Sequence, residues 1–270
     1  DYSPTYDQAR QELYFMRRTP GRFDYAIHRS RWRDGAWTRA EPASFSSAAH
    51  RDAGPYLSPD GETLYFDSRR PAAGLEADSI NLWRVSRRGD GWSEAELLRG
   101  ASANPPQVEV AGNDEFGPVV DGDGDLWFYS FRSPNRGGSR YRTRPEADAA
   151  ARVEQSIPDP SAPTFVSYLY LSPDGVTALM DGRAWGRRDG DLYFACRGPE
   201  GRFGPARPIP EVNTTSGEQG PALSADGHIL FWASDRRMAG VDEGRSRLWW
   251  VSTDRLPLPC PASAESMPDE

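Results

Sequence analysis

The chain contains no lysine, so all 32 of its basic residues are arginine. This usage suits a GC-rich bacterial genome and carries no inference about the fold. Only two cysteines occur, Cys196 and Cys260, which are too few for a disulfide-rich scaffold and have no zinc-site spacing. No apolar run approaches the length needed to span a membrane. There are only three histidines, and they are scattered along the chain without the paired spacing of metal ligands. The sequence therefore gives no support for a zinc site or a Ser-His-Asp triad.

Clustered positive charge is also missing. The formal net charge is −8, and the arginine pairs are interleaved with acids. Binding to a phosphate backbone needs a basic patch or stripe, so no nucleic-acid partner is predicted.

Turn-forming and aromatic residues are abundant. The 270 residues include 24 Pro and 26 Gly, together with 9 Trp, 11 Tyr and 11 Phe. Many prolines and glycines indicate frequent turns and few long helices, and the aromatic side chains supply large apolar faces. An all-β chain is therefore predicted.

The sequence repeats itself. Residues 52–71 read DAGPYLSPDGETLYFDSRRP, and residues 218–237 read EQGPALSADGHILFWASDRR. The residue that opens the stronger strand recurs at spacings of 51, 62, 52 and 52 in five places: Leu13, Leu64, Leu126, Ala178 and Leu230. In four of the five repeats a proline precedes that strand, and an acid stands three residues before the proline: Asp1, Asp52, Glu115 and Glu218.

Each repeat carries strand and turn signals only. In the second and fourth repeats a Ser-Pro-Asp-Gly turn separates a short strand from a stronger one, and Ser224-Ala-Asp-Gly227 in the fifth is nearly the same. Two further strands follow. Four antiparallel strands in about 50 residues make one propeller blade. The predicted fold is a β-propeller of about five four-stranded blades, or six if another blade is completed outside the visible repeats. The predicted blades are 1–46, 52–100, 115–158, 165–210 and 218–256, within a single domain 1–256 that is followed by a tail, 257–270. The stretch 255–261 is a candidate outer strand for the last blade.

The core S-P-D-G-x-x-L-x-F-x-S-x-R, with D-L-W or its like opening the next strand, resembles the TolB-type (WD-repeat-like) β-propeller repeat of bacteria. The resemblance covers about residues 1–256 and is weakest in the third repeat. It implies a periplasmic or secreted protein that acts through protein interaction. The chain begins with Asp1, so a signal peptide is presumed to have been removed.

Propeller geometry sorts the loops onto two faces. The loop that enters strand 1 of a blade and the loop between strands 2 and 3 emerge together, and these loops are the longer ones. Binding residues usually lie on long loops held by a rigid scaffold. The candidate ligand-binding residues on this loop-rich face are Asp52, Arg69, Glu115, Arg132, Tyr141, Arg183, Trp185, Glu218 and Arg236.

Two interpretations of the repeated acid and arginine stay open. They could contact a ligand, or they could form a structural latch between neighbouring blades, since guanidinium groups bind carboxylates and loop carbonyls. Residues that break the repeat, such as Tyr141 and Trp185, are better candidates for ligand contact.

Two further sites are weaker. Asp121, Asp123 and Asp125 alternate as in a calcium loop, but no bidentate glutamate follows at EF-hand spacing, so a plain turn is the competing interpretation. Cys196 and Cys260 are either free thiols or a single disulfide, which would require an oxidising compartment. No other cofactor is predicted.

The leading functional hypothesis is a non-catalytic binding module of the bacterial envelope, a monomer that docks a protein or peptide on its loop-rich face. The alternative is a propeller hydrolase or lyase that acts on a saccharide or another polar ligand at the channel mouth. A pure scaffold beside a partner domain is the third hypothesis.

Overall fold

The computed structural model describes residues 1–18, 24–46, 49–75, 78–99, 114–130, 139–145, 151–152, 165–183, 190–237 and 246–260. Within these ranges the chain is all-β apart from one 3-10 turn, Thr253–Arg255. None of the helical structure described there is long and apolar enough to cross a membrane. The chain divides into two compact units, Asp1 with Ser3–Ser156 and Tyr2 with Ile157–Glu270.

Unit 1 contains three antiparallel sheets, each with its strands in chain order from one edge to the other. Blade 1 comprises β1 (Tyr2–Asp7), β2 (Glu12–Arg18), β3 (Tyr25–Arg33), β4 (Ala36–Trp37) and β5 (Glu41–Pro42). Blade 2 comprises β6 (Asp52–Leu57), β7 (Thr63–Ser68), β8 (Asn81–Arg88), β9 (Gly91–Trp92) and β10 (Glu96–Leu97). Blade 3 comprises β11 (Glu115–Val120), β12 (Leu126–Ser130), β13 (Ser139–Thr143) and β14 (Ala151–Arg152).

Unit 2 contains two sheets of the same pattern. Blade 4 comprises β15 (Phe165–Leu171), β16 (Thr177–Arg183), β17 (Asp191–Cys196) and β18 (Arg207–Pro208). Blade 5 comprises β19 (Glu218–Leu223), β20 (Ile229–Ser234) and β21 (Arg247–Ser252). The prediction of an all-β propeller with five blades is confirmed.

The fourth strands differ from the prediction. In blades 1 and 2 the fourth position is divided between two segments of two residues each, and β21 pairs with no fourth strand in the described part of blade 5. The idea that residues 255–261 form that strand is wrong for residues 255–260. Arg255 ends the 3-10 turn, and the residues after it lead to blade 4. There Cys260 forms a disulfide with Cys196, and its N–H donates to Thr177 Oγ1 at 2.9 Å. Of the two states left open for the cysteines, the structure has the disulfide.

A bulge in the first strand explains part of the repeated motif. The pairing of strands 1 and 2 shifts register at the same place in blades 2 to 5. In three of these blades the bulged residue is a glycine with φ between 55° and 57°: Gly54, Gly117 and Gly220. Residues with a Cβ rarely adopt this left-handed conformation. Glycine before the repeated proline is therefore a backbone requirement.

The Ser-Pro-Asp-Gly turn stabilises itself. Ser58 Oγ accepts from Thr63 N at 2.9 Å, and Asp60 Oδ1 accepts from Glu62 N at 2.9 Å. Equivalent bonds occur at Ser172 and at Ser224. Because these serine and aspartate oxygens serve backbone N–H groups, the motif sets the geometry of the strand 1–2 hairpin.

Apolar side chains of neighbouring blades pack together. The cluster between blades 1 and 2 is buried and consists of Tyr14, Ile27, Ala43, Leu57, Leu64, Phe66, Trp83 and Val85. Polar contacts join adjacent first strands: Tyr56 donates to Val120 O at 2.7 Å, and Tyr170 donates to Leu223 O at 3.2 Å. Each blade thus buries one face against the next blade of its unit, as stacking repeats must.

Gly54 and Gly117 provide a matched test of the bulge. A Cβ on Gly54 would lie 2.5 Å from Asp67 Oδ2, whereas a Cβ on Gly117 would meet nothing within 4 Å. Both substitutions to alanine incur the cost of a left-handed φ, about 1–2 kcal/mol. We expect Gly54→Ala to cost at least about 2 kcal/mol more, because it also displaces a buried carboxylate. Urea denaturation of the two variants measures the difference, and equal losses would contradict this packing.

Candidate functional site

The acid of blade 2 is buried and accepts hydrogen bonds from two serines and an arginine. Asp52 is 0% exposed. Its carboxylate accepts from Ser46 Oγ at 2.9 Å, from Ser68 Oγ at 2.7 Å, and from Arg70 Nη2 at 2.8 Å and Nε at 3.1 Å. Arg70 Nη2 also donates to the carbonyl of Phe45, which lies in the connection from blade 1. We call this group of acid, serine and arginine a latch.

Blade 5 repeats the latch with different residues in the same places. Glu218 is 0% exposed and accepts from Ser234 Oγ at 3.0 Å and from Arg236 Nη2 at 3.1 Å. Arg236 Nη2 also donates to Val212 O, in the connection from blade 4, at 2.7 Å. The N–H of Glu218 donates to Gly190 O of blade 4 at 2.8 Å. The latch therefore fastens the start of one blade to the blade before it.

In the other blades of unit 1 the acid is bound by a different set of side chains. In blade 3, Ser130 Oγ donates to the buried Glu115 at 3.0 Å. In blade 1 an arginine replaces the serine, and Arg17 forms a two-pronged ion pair with Asp1 in which both distances are 2.7 Å. Such parallel N–H···O bonds are the strongest arginine–carboxylate geometry.

Blade 4 has lost the whole latch. The strand register places Val166 opposite Gly182, where blade 2 has Asp52 opposite Ser68. The acid and the serine are both absent from blade 4, as expected if the serine serves to hydrogen-bond the acid. Arg183, a predicted site residue, is exposed at the end of β16.

These contacts favour the latch interpretation of the repeated acids. Asp52, Glu115 and Glu218 are each buried against groups of their own protein. In blade 2 the arginine that reaches the acid is Arg70, whereas the predicted Arg69 is exposed. The repeat aligns Arg236 with Arg70 because both follow the latch serine by two residues. Arg132 and Trp185 lie outside the described residues.

Adjacent arginines allow a sharp test of the latch. We expect Arg70→Ala to lower the free energy of unfolding by about 2–4 kcal/mol, because it leaves a buried carboxylate short of donors. Arg69→Ala should change it by less than about 0.5 kcal/mol, as is usual for an exposed side chain. Chemical denaturation of both variants decides, and equal effects would refute the latch.

Tyr141 lies in a strand and not in a loop. It belongs to β13, is 7% exposed, and stacks on Phe128 with ring centroids 5.8 Å apart. It was a candidate because it breaks the repeat, and the structure places it among buried residues. A ring packed in this way serves the core of blade 3.

The candidate calcium loop forms a hydrogen-bonded turn. Asp121 accepts from Asp123 N at 3.1 Å, from Asp125 N at 2.9 Å and from the Trp127 indole N–H at 2.6 Å. Asp125 forms an ion pair with Arg144 at 2.7 Å. The structure shows no cluster of three or more potential metal-binding side chains within the described ranges. The contacts of Asp121 and Asp125 favour the turn interpretation.

Sequence reasoning missed a charged group on the loop-rich face of unit 1. The Arg51 guanidinium forms an ion pair with Asp67 and lies 5.9 Å from the ring centre of Tyr25 and 5.7 Å from that of Phe116. Asp67 also accepts from Gly117 N at 3.3 Å. Both rings are half-buried. We call these four residues, Arg51, Asp67, Tyr25 and Phe116, the Arg51 group.

The Arg51 group breaks the repeat. Blade 2 has an arginine directly before its latch acid, whereas Asp114 and Gly217 hold that place in blades 3 and 5. This irregularity could have identified Arg51 from sequence. The ring neighbours could not have been identified in this way, because Tyr25 and Phe116 come from different blades.

A second group that was missed is a buried ion cluster between blades 1 and 2. Arg87 donates to Asp7 at 2.8 Å and to Glu12 at 3.0 Å, and its guanidinium lies 4.0 Å from the ring centre of Trp92. Tyr14 donates to Glu12 at 2.7 Å. Arg29 and Arg31 also donate to Glu12.

A tyrosine beside a glutamate and arginines could suggest nucleophilic catalysis, but this cluster is closed. Tyr14 is 0% exposed. Burial, and then the hydrogen bond to Glu12, raise the pKa of Tyr14, which opposes formation of a nucleophilic phenolate. Burial by itself raises the pKa of Glu12, but hydrogen bonds from Tyr14, Arg31 and Arg87 outweigh it and lower that pKa below its ordinary value. The cluster is therefore a structural fastening.

This fastening should depend on pH. Because the folded pKa of Glu12 lies below 4.5, its ionised form contributes stability above that pH, and the contribution is lost as pH falls through the folded pKa. We expect Glu12→Gln to cost about 3 kcal/mol at pH 7. The difference in the free energy of unfolding between this variant and the wild-type protein should disappear at acid pH, where Glu12 is protonated.

The control is Glu41→Gln, since Glu41 is exposed and pairs with the same Arg29 at 2.6 Å. An exposed pair contributes at most about 1 kcal/mol. Unfolding curves between pH 3 and 7 provide the measurement. If the loss of unfolding free energy caused by Glu12→Gln did not change with pH, ionised Glu12 would not be the stabilising group.

The fold and the repeat define a TolB-like β-propeller, as the sequence resemblance predicts. TolB from Acinetobacter baumannii is similar over 93% of this chain and 51% of its own, at 16% identity and a TM-score of 0.52. A putative TolB from Agrobacterium tumefaciens is similar over 94% of this chain and 77% of its own, at 12% identity and a TM-score of 0.52. An endo-arabinanase from Bacillus licheniformis is similar over 93% of both chains, at 17% identity and a TM-score of 0.53.

At these identities the likeness shows the fold alone. The chain spans about half the length of the Acinetobacter TolB. No protein-family model and no curated protein matches it.

Proposed function

We propose that the chain is a binding module of the bacterial envelope that docks a protein or peptide on the loop-rich face of unit 1, at the Arg51 group. The observation that carries this proposal is the charged and aromatic group that lies outside the repeated latches. A guanidinium held between aromatic rings is preorganised to receive a carboxylate or a planar peptide group.

The latches support binding over acid–base chemistry. A hydrolytic mechanism would need an accessible acid, but Asp52 of unit 1 and Glu218 of unit 2 are each buried, with their oxygens bound to hydroxyl and guanidinium groups. A general base must be within reach of the proton that it abstracts. These two acids serve the architecture.

The disulfide supports an envelope location. Disulfides persist in the periplasm and outside the cell and are rare in the cytosol. Cys196–Cys260 closes a loop of 64 residues that contains all of blade 5. The likeness to the TolB fold favours the same location and a protein partner. The monomeric state stays a prediction.

The alternative is a propeller enzyme that acts on a saccharide at the channel mouth. It is favoured by the fold shared with the endo-arabinanase over almost the full length of both chains. The same Arg51 group would then hold an anionic or polar part of the substrate.

Site-specific crosslinking tests the proposal. A photoreactive amino acid at Arg69, exposed on the loop-rich face, should capture a partner from the envelope fraction of the source bacterium. The same amino acid at Arg88, which is exposed at the opposite end of the blade, should not. Arg51→Lys keeps the charge but loses the planar fork, and it should reduce the capture at position 69 several-fold.

Equal capture at both positions, or none, would refute docking on this face. The purified protein is also tested on a panel of arabinans, other glycans and esters. Turnover that Arg51→Lys abolishes would establish the enzyme alternative instead.

A further inference from the structure

Two buried indole N–H groups of blade 5 have no hydrogen-bond acceptor among the described residues. They belong to Trp232 in β20 and Trp249 in β21. The strand register sets these two residues directly opposite each other, so their side chains lie on the same face of the sheet. Trp232 is 3% exposed, and Trp249 is half-buried. Buried polar groups are nearly always hydrogen-bonded, so two such donors on neighbouring strands require an explanation.

The guanidinium of Arg236 lies against both rings. Its central carbon is 5.3 Å from the ring centre of Trp232 and 4.8 Å from that of Trp249. The nitrogens Nε and Nη2 serve the latch, where they donate to the serine, to the acid and to the carbonyl of the preceding connection. Nη1 has no acceptor in the described part of the chain, and the side chain is 21% exposed. We call Trp232, Trp249 and Arg236 the indole–arginine group.

The latch acid does not exhaust this cation. Glu218 also accepts from Thr214 N at 3.2 Å, from Thr214 Oγ1 at 2.7 Å and from Ser234 Oγ at 3.0 Å. Neutral donors therefore share in holding the buried carboxylate. Because Glu218 is bound at Nη2, an anion at Nη1 would lie closer to the guanidinium than to this carboxylate.

Blade 2 has the same latch with a different lining. Phe66 stands where blade 5 has Trp232, and its ring has no N–H. Phe45, whose carbonyl the latch arginine binds, packs its ring against Phe66 with centroids 5.1 Å apart. In blade 5 the corresponding carbonyl belongs to Val212, which has a smaller side chain. Blade 5 therefore places a smaller side chain and an N–H donor where blade 2 packs two phenyl rings.

A single indole N–H without an acceptor does not make a site. Trp83 holds the place of Trp249 in blade 2, and its buried N–H also lacks an acceptor among the described residues. Its neighbours are the apolar side chains of the cluster between blades 1 and 2. Blade 5 differs because a second indole N–H and a guanidinium nitrogen lack acceptors at the same place.

We propose that the indole–arginine group binds an oxyanion, the carboxylate, sulfate or phosphate group of a ligand, at the end of β20. Indole and guanidinium nitrogens donate hydrogen bonds and cannot accept them, so together they select a ligand that only accepts. An oxyanion has lone pairs for the two indole N–H groups and for Nη1, and its bond to the guanidinium is charge-assisted. The indole–arginine group belongs to unit 2 and the Arg51 group to unit 1, so this inference stands independently of the proposed function.

The NMR signals of the indole N–H groups test the site, because a proton that gains an oxyanion as acceptor moves its resonance downfield. The full chain is labelled in its nine indole nitrogens and titrated separately with sodium sulfate, sodium phosphate and sodium acetate. We expect the Trp232 and Trp249 signals to shift downfield and to saturate, and the Trp83 signal to stay in place. Sodium chloride at the same ionic strength should move none of the three. The salt that binds most tightly distinguishes a tetrahedral oxyanion from a carboxylate.

Substitutions separate the donors from the rings. Trp249→Phe keeps a ring beside Arg236 and removes one N–H, so it should weaken oxyanion binding roughly tenfold or more. The matched control is Trp83→Phe, which makes the same change in blade 2 and should leave the affinity unchanged. Val212→Phe introduces the ring that Phe45 supplies in blade 2 and should block binding. Circular dichroism checks that each variant is folded.

Three results would overturn the proposal. The first is the lack of a saturable shift with all three oxyanions. The second is binding that Trp249→Phe leaves unchanged. The third is a Trp232 or Trp249 signal that Asp242→Asn or Glu243→Gln moves upfield in the absence of added oxyanion. These two acids lie outside the described residues, and the acceptor would then be a side chain of the protein itself.

Discussion

The structure depends on a buried carboxylate at the start of a blade. Asp52 and Glu218 each bind a serine at the end of strand 2 and an arginine two residues later, and that arginine also binds a carbonyl of the preceding connection. A buried charge is tolerated only when it is paired and hydrogen-bonded. The same contacts that satisfy the acid therefore fix the order and spacing of neighbouring blades within each unit.

This constraint decides where function can reside. Side chains that recur from blade to blade are occupied by the architecture, so ligand contact falls to irregular positions. The Arg51 group is irregular because one blade places an arginine beside its latch acid. This feature is a departure from the repeat.

Much of the fold was predictable. Five small antiparallel sheets were predicted from the recurring turn and from the spacing of the residues that open the second strands: Leu13, Leu64, Leu126, Ala178 and Leu230. The prediction succeeds because a turn flanked by two strands recurs about once every 50 residues, the length of one blade. The site was less predictable. Arg69 was selected, but Arg70 is the arginine that binds Asp52. The sequence cannot tell which of two adjacent arginine side chains points inward. Tyr141 was selected because it breaks the repeat, and only the structure shows that its ring is buried and stacks on Phe128.

The sequence by itself determined the blade: its turns, its strand alternation and the acid, glycine and proline that open it, since these follow from local backbone geometry and repetition. Only the tertiary structure decided which charges meet. The contacts of Arg51 with Tyr25 and Phe116, of Arg87 with Glu12 and Asp7, and of Cys260 with Cys196 join segments that are distant along the chain. Such meetings depend on how blades stack, and no local pattern encodes them.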